Sequence, residues 1–191
     1  MSIRTSFCLS FVALTVAFAP HFALAGNYAS VNTLNEDIVK DFVNETTQMS
    51  SGAVDGMGLD EIRTYLDDHI YQNARFKSSM KFVIPGYPPQ ENTLSLDKDD
   101  YIKSIEQGAD KISSYQADVE ITSVKLSRDK RTATVVTVAK ESGMMDIPAD
   151  DGNESVPVAG TSRCNQIIIL SKNNVIQMHS AQCTTTVTFS P

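Results

Sequence analysis

The sequence has few of the groups that announce an activity. It holds three cysteines and three histidines among 191 residues. No Cys-x-x-Cys pair is present, and no basic cluster flanks either downstream cysteine to lower a thiol pKa, which argues against redox chemistry. Beyond the first 25 residues the histidines are His69 and His179, too far apart to form a zinc-binding spacing. There is no glycine-rich phosphate loop and no serine nucleophile elbow. No cofactor and no metal are therefore expected. Basic residues are also scarce. The chain carries 16 Lys and Arg against 23 Asp and Glu, a net charge of −7. Bulk charge of that sign excludes nucleic acid or anionic lipid as a non-specific partner. Long apolar runs are missing too. The longest, Phe7 to Ala19, falls short of the roughly 20 residues that span a bilayer.

That short run belongs to a targeting pattern. Arg4 gives a positive start, Pro20 breaks the apolar stretch, and Ala23-Leu24-Ala25 offers a small-x-small cleavage site. Residues 1–25 read as a signal peptide and residues 26–191 as a single domain, exported to a periplasm or secreted. Cys8 lies inside the apolar run and no cysteine follows the cleavage site, so a lipoprotein leader is not indicated. After cleavage no membrane span remains. Cys164 and Cys183 then sit in an oxidising compartment, where a disulfide is expected.

The pairing of those cysteines follows from the stretch Thr161 to Phe189. Two runs rich in Ile, Val and Thr flank Asn173-Asn174, and Asn tolerates the positive φ of a tight hairpin turn. A two-residue turn there pairs Lys172 with Val175, Leu170 with Gln177, Ile168 with His179, and Cys164 with Cys183. The cysteines would occupy a hydrogen-bonded position, with Cα atoms roughly 5.5 Å apart.

Upstream, Leu34, Ile38, Val39, Phe42, Val43 and Met49 recur at helical steps, and glycines 52, 56 and 58 mark a loop. Leu59, Ile62, Leu66, His69 and Ile70 share the face of a second helix, with Tyr65 at its border. The period becomes two from Ala74 to Ile84, a half-buried strand whose odd positions include Arg75, Lys77 and Lys81. Asn92 to Leu96 reads as a short returning strand. Ser95 or Asp97 caps a third helix, whose apolar face runs from Tyr101 through Ile105 and Ala109 to Ile112. From Tyr115 onward the chain reads as strand. A polar turn lies at Ser127 to Arg131, and a loop is expected from Met145 to Pro157. Asp146, Asp150, Asp151, Asn153 and Glu154 in that stretch do not fit a calcium loop and read as solvated.

Three helices on one face of a curved, mainly antiparallel sheet make an α+β, cone-like domain. The passage LDEIRTYLDDHIYQNARF, the helix opening SLDKDDYIKSI and the hairpin VKLSRDKRTATVVTVAK resemble the nuclear transport factor 2-like, or cystatin-like, superfamily. The resemblance extends over nearly all of residues 26–191. Its members include isomerases, dehydratases and cyclases acting on small apolar molecules, ligand binders, and proteins that only assemble with partners. Many dimerise through the open sheet face, which makes a homodimer an expectation of the resemblance.

Tyr65, His69 and His179 are the candidate catalytic residues. The reading with least chemistry puts His179 semi-buried in an apolar row with Cys164, Ile168, Leu170 and Cys183. It leaves Tyr65 and His69 at a helix border beside solvent-facing Asp67 and Asp68. The functional alternative brings all three into one pocket for proton transfer. The function expected is a non-enzymatic exported domain binding a small apolar ligand or an envelope protein. The alternative is a small general acid/base enzyme of dehydratase, isomerase or cyclase type.

Overall fold

A computed structural model describes residues 31–52, 54, 56–108, 112–149 and 152–190. The signal-peptide pattern and the Asp150-Asp151 pair lie outside those residues.

Helix α1, Glu36–Ser50, begins where the Asn35 side chain accepts a hydrogen bond from the Ile38 N–H at 2.8 Å. That bond satisfies one donor that the first helical turn leaves open. Its apolar stripe buries Val39, Phe42, Val43 and Met49. Leu34 precedes the helix and is fully buried, held by its N–H on the Lys130 carbonyl. Helix α2, Leu59–His69, starts with the Glu61 carboxylate folded back onto the Gly58 N–H at 2.9 Å. It buries Ile62 and Leu66, whereas Leu59 is left exposed. The chain passes from His69 directly into strand β1, Ile70–Val83.

In β1 the even positions Ala74, Phe76, Met80 and Phe82 are buried, and Arg75, Lys77 and Lys81 point away from the core. Pro85 and Gly86, the latter at φ 80°, turn the chain into β2, Gln90–Leu96. Asp97 caps helix α3, Lys98–Gly108, through the Asp100 N–H. Ile112, expected on that helix's apolar face, instead opens strand β3, Ile112–Leu126.

Strands β4 (Thr132–Ala149), β5 (Gly152–Leu170) and β6 (Ile176–Phe189) complete the sheet. The expected loop from Met145 to Pro157 is a correction. Both strands run through it, pairing Met145 with Val156 and Asp146 with Ser155. Met145 and Val158 are buried with Met80, Phe82 and Val187 in a small second core, which holds these ends together. The sheet order is β2-β1-β6-β5-β4-β3. All neighbours are antiparallel except β1 and β6, which run parallel. The main core lies between the helices and the inner face of this mixed, open sheet. No helix among the described residues is long and apolar enough to cross a membrane.

The final hairpin departs from its expected register and then returns to it. Ser171 and Val175 close the loop, with Asn174 at φ 61°, so the loop has three residues and Leu170 faces Ile176. Ile168 therefore faces Met178 rather than His179. A bulge at His179 takes up the extra residue, and Cys164 faces Cys183 as expected. The disulfide is formed. Its Cα atoms are 4.1 Å apart, the close spacing of a non-hydrogen-bonded pair rather than the hydrogen-bonded one.

Candidate functional site

A cavity of about 90 Å³ opens between the helices and the inner sheet face. Its walls are mostly apolar, with Phe76, Met80, Leu96, Ala139, Val158 and Val187 among them. The alternation of β4 and β5 sends Thr137, Glu141 and Gln166 to the same inner face, and all three are buried. Gln166 Nε2 donates to Thr137 Oγ1 at 3.3 Å. Its Oε1 is buried and accepts no hydrogen bond from the protein. A buried acceptor without a donor costs free energy comparable to a lost hydrogen bond. Glu141 stands opposite Gly160 across β4 and β5. A Cβ on Gly160 would lie 3.0 Å from Glu141 Oε2, so the glycine makes room for the carboxylate.

The helices close the other side with a hydrogen-bonded chain. Tyr101 of α3 donates to Ser50 Oγ at 2.9 Å, and Ser50 donates to the Thr46 carbonyl at 2.8 Å. Burial raises the Tyr101 hydroxyl above its ordinary pKa, with the Ser50 hydrogen bond opposing. Its ring stacks on Phe76 with centroids 3.9 Å apart. The Cys164–Cys183 disulfide forms part of the wall.

None of the three candidates from the sequence is among the cavity residues, although Tyr65 reaches Thr46 at the end of that hydrogen-bonded chain. Tyr65 and His69 do meet, with ring centroids 4.4 Å apart. His69 Nδ1 lies 3.0 Å from the Ile176 carbonyl, which fixes a proton on that nitrogen. The Tyr65 hydroxyl is 3.4 Å from Thr46 Oγ1, and burial pushes its pKa well above the ordinary value. His179 is elsewhere. It stacks on Tyr71 of β1 at 5.2 Å, and it is not among the cavity residues as Cys164 and Cys183 are. The bulge is the reason. The face expected for His179 assumed an unbroken alternation, and the extra residue interrupts it. Asp146 and Glu154 stand on paired strands. No cluster of three metal-ligating side chains occurs among the described residues.

Glu141 and Gln166 are the polar residues that sequence reasoning missed. The signal available was the alternation of β4, which from Ala133 through Val135, Thr137 and Ala139 puts Glu141 on the buried face. The hairpin VKLSRDKRTATVVTVAK, as read from the sequence, stops one residue short of it.

No protein-family model matches the sequence, and neither does any curated protein. Solved structures of similar outline include a conserved protein from Planctomyces limnophilus. It is 13% identical, with 78% of this chain and 94% of that chain covered, at a TM-score of 0.49. A ketosteroid isomerase-like protein from Erwinia carotovora atroseptica is 11% identical, with 80% and 98% covered, at a TM-score of 0.46. A nuclear transport factor 2-like protein from Cytophaga hutchinsonii is 15% identical, with 79% and 98% covered, at a TM-score of 0.43. In this chain the first helix, the β1–β2 hairpin, the third helix and the β3-to-β6 meander line a cavity. The fold is α+β, with three helices on one face of an open, six-stranded mixed sheet. A fold of this kind supports binding and catalysis alike, so the chemistry rests on the cavity's own side chains.

Proposed function

We propose that this chain is a binding domain for a small, mainly apolar molecule that carries at least one hydrogen-bond donor. The observation that carries the reading is a buried acceptor, Gln166 Oε1, in a mostly apolar cavity. Gln166 Oε1 has no donor from the protein, and Glu141 is buried on the same inner face. A ligand N–H or O–H aimed at these oxygens removes the cost of the orphaned acceptor, and the apolar walls supply the rest of the affinity. The protein acts as an exported domain, released from a signal peptide at residues 1–25. The disulfide supports that address, since such bonds persist in oxidising compartments.

The test is native mass spectrometry of the protein from its own exported compartment. A small-molecule adduct that Val158→Phe abolishes supports the reading. An adduct that persists in Val158→Phe places the ligand outside the cavity and contradicts it.

Glu141 favours a second reading, a small general acid/base enzyme of dehydratase, isomerase or cyclase type. A buried carboxylate beside bound substrate can take or return a proton. Glu141→Gln separates the two. Loss of turnover with binding retained would favour the enzyme, and loss of affinity alone the binder.

A further inference from the structure

The sheet face opposite the cavity carries a charge pattern that the binding reading does not use. Register places Ser79, Thr184, Arg163 and Val138 side by side across β1, β6, β5 and β4. The neighbouring row is Lys81, Thr186, Thr161 and Lys140. On the other side lie Lys77, Gln182, Asn165 and Val136, and then Arg75, Ser180, Ile167 and Thr134. Across these four rows Arg75, Lys77, Lys81, Lys140 and Arg163 are cationic, and no carboxylate appears. All five are exposed, and none is in a salt bridge among the described residues. The carboxylates nearest in register, Glu91 on β2 and Asp118 and Glu120 on β3, stand on the strands outside this patch. In a chain of net charge −7, four adjacent rows free of acids form a distinct electrostatic surface.

We infer that this outer face binds a uronate-bearing polysaccharide. The cations supply charge-assisted hydrogen bonds to carboxylates. Thr161, Thr184, Thr186, Asn165 and Gln182 stand between them and offer both donors and acceptors to sugar hydroxyls. The face lacks what other polyanions or partners require. It has no aromatic side chain on which bases could stack, as single-stranded nucleic acid needs. Ile167, at 38% exposure, is its one exposed large apolar residue, so it lacks the buried anchors of a protein interface and the apolar wedge of a membrane-surface element. A second copy of the chain laid on this face would set five cations against five, which disfavours self-association there.

The test is isothermal titration calorimetry of the purified protein with polygalacturonate, and with neutral dextran as control. Polygalacturonate should bind at low ionic strength and weaken steeply with added salt, and dextran should not bind. Lys81→Glu combined with Arg163→Glu should reduce affinity at least about tenfold. These side chains are exposed, and unchanged thermal unfolding will show that the variant is folded. Thr161→Val with Thr184→Val should weaken binding without changing its salt dependence. Failure to bind polygalacturonate at low salt, or full binding by the reversed-charge variant, overturns the inference. Tighter binding to polyglutamate or to phosphatidylglycerol vesicles also overturns it, assigning the face to an acidic protein or to a membrane.

Discussion

Replacing Glu141 by Gln keeps the side chain's shape and changes what it can accept. If a ligand donor sits on that carboxylate, Glu141→Gln should weaken binding by about 1.5–3 kcal/mol, read by calorimetry, as expected for a hydrogen bond to a charged group. Gly160→Ala probes the same place from the opposite strand. The new Cβ would stand 3.0 Å from Glu141 Oε2, so the carboxylate must move. Affinity should fall while the fold persists, and unchanged affinity would show that the position of Glu141 is unimportant. The buried tyrosines make a separate prediction. Burial raises the pKa of both Tyr65 and Tyr101 above the ordinary 10.0, opposed by the hydrogen bonds that Tyr65 shares with Thr46 and that Tyr101 donates to Ser50. The unfolded chain gives up those protons first. The stability they contribute is therefore intact below pH 10 and declines as pH rises beyond it. Urea unfolding at a series of alkaline pH values should show that decline, shallower in Tyr101→Phe.

At the scale of elements, the closing hairpin shows both the reach and the limit of reading a sequence. The Asn turn and the cysteine spacing located the strands and the disulfide. They did not reveal that the loop has three residues or that a bulge at His179 restores the register. Each offset moves the strand by one residue, and a one-residue shift changes which face a side chain occupies. His179 was misplaced for that reason, although Cys164 and Cys183 were not. Glu141 was missed because the preceding hairpin was followed only as far as Lys140. Polar residues around Met145 to Pro157 suggested a loop, whereas the small core around Met145 and Val158 keeps β4 and β5 paired to their ends. The disulfide links residues 19 apart in sequence. Replacing both cysteines by Ala should cost about 2–4 kcal/mol in denaturant unfolding. Losing the cap in Asn35→Ala should cost about 1 kcal/mol, because the Ile38 N–H then has only water.

For the whole molecule, helix periodicity and strand alternation made the class legible, and the order of elements gave the cone. The parallel pairing of β1 with β6 had no local signal, since it joins the first strand to the last. The cavity is a product of that closure. Phe76 of β1, Tyr101 of α3, Glu141 of β4 and Gln166 of β5 meet only once the sheet is assembled. A homodimer through the outer sheet face, expected from the resemblance, is opposed by the five cations on it. Sedimentation should find a monomer at low ionic strength, where their repulsion is least screened.

The most direct measurement is native mass spectrometry of the protein from its own exported compartment, without reductant, beside its Val158→Phe variant. The predicted result is a chain beginning at Gly26, two hydrogens lighter than its reduced form, carrying a small apolar molecule that the variant lacks. A bare protein, in both wild type and variant, would contradict the cavity as the seat of function.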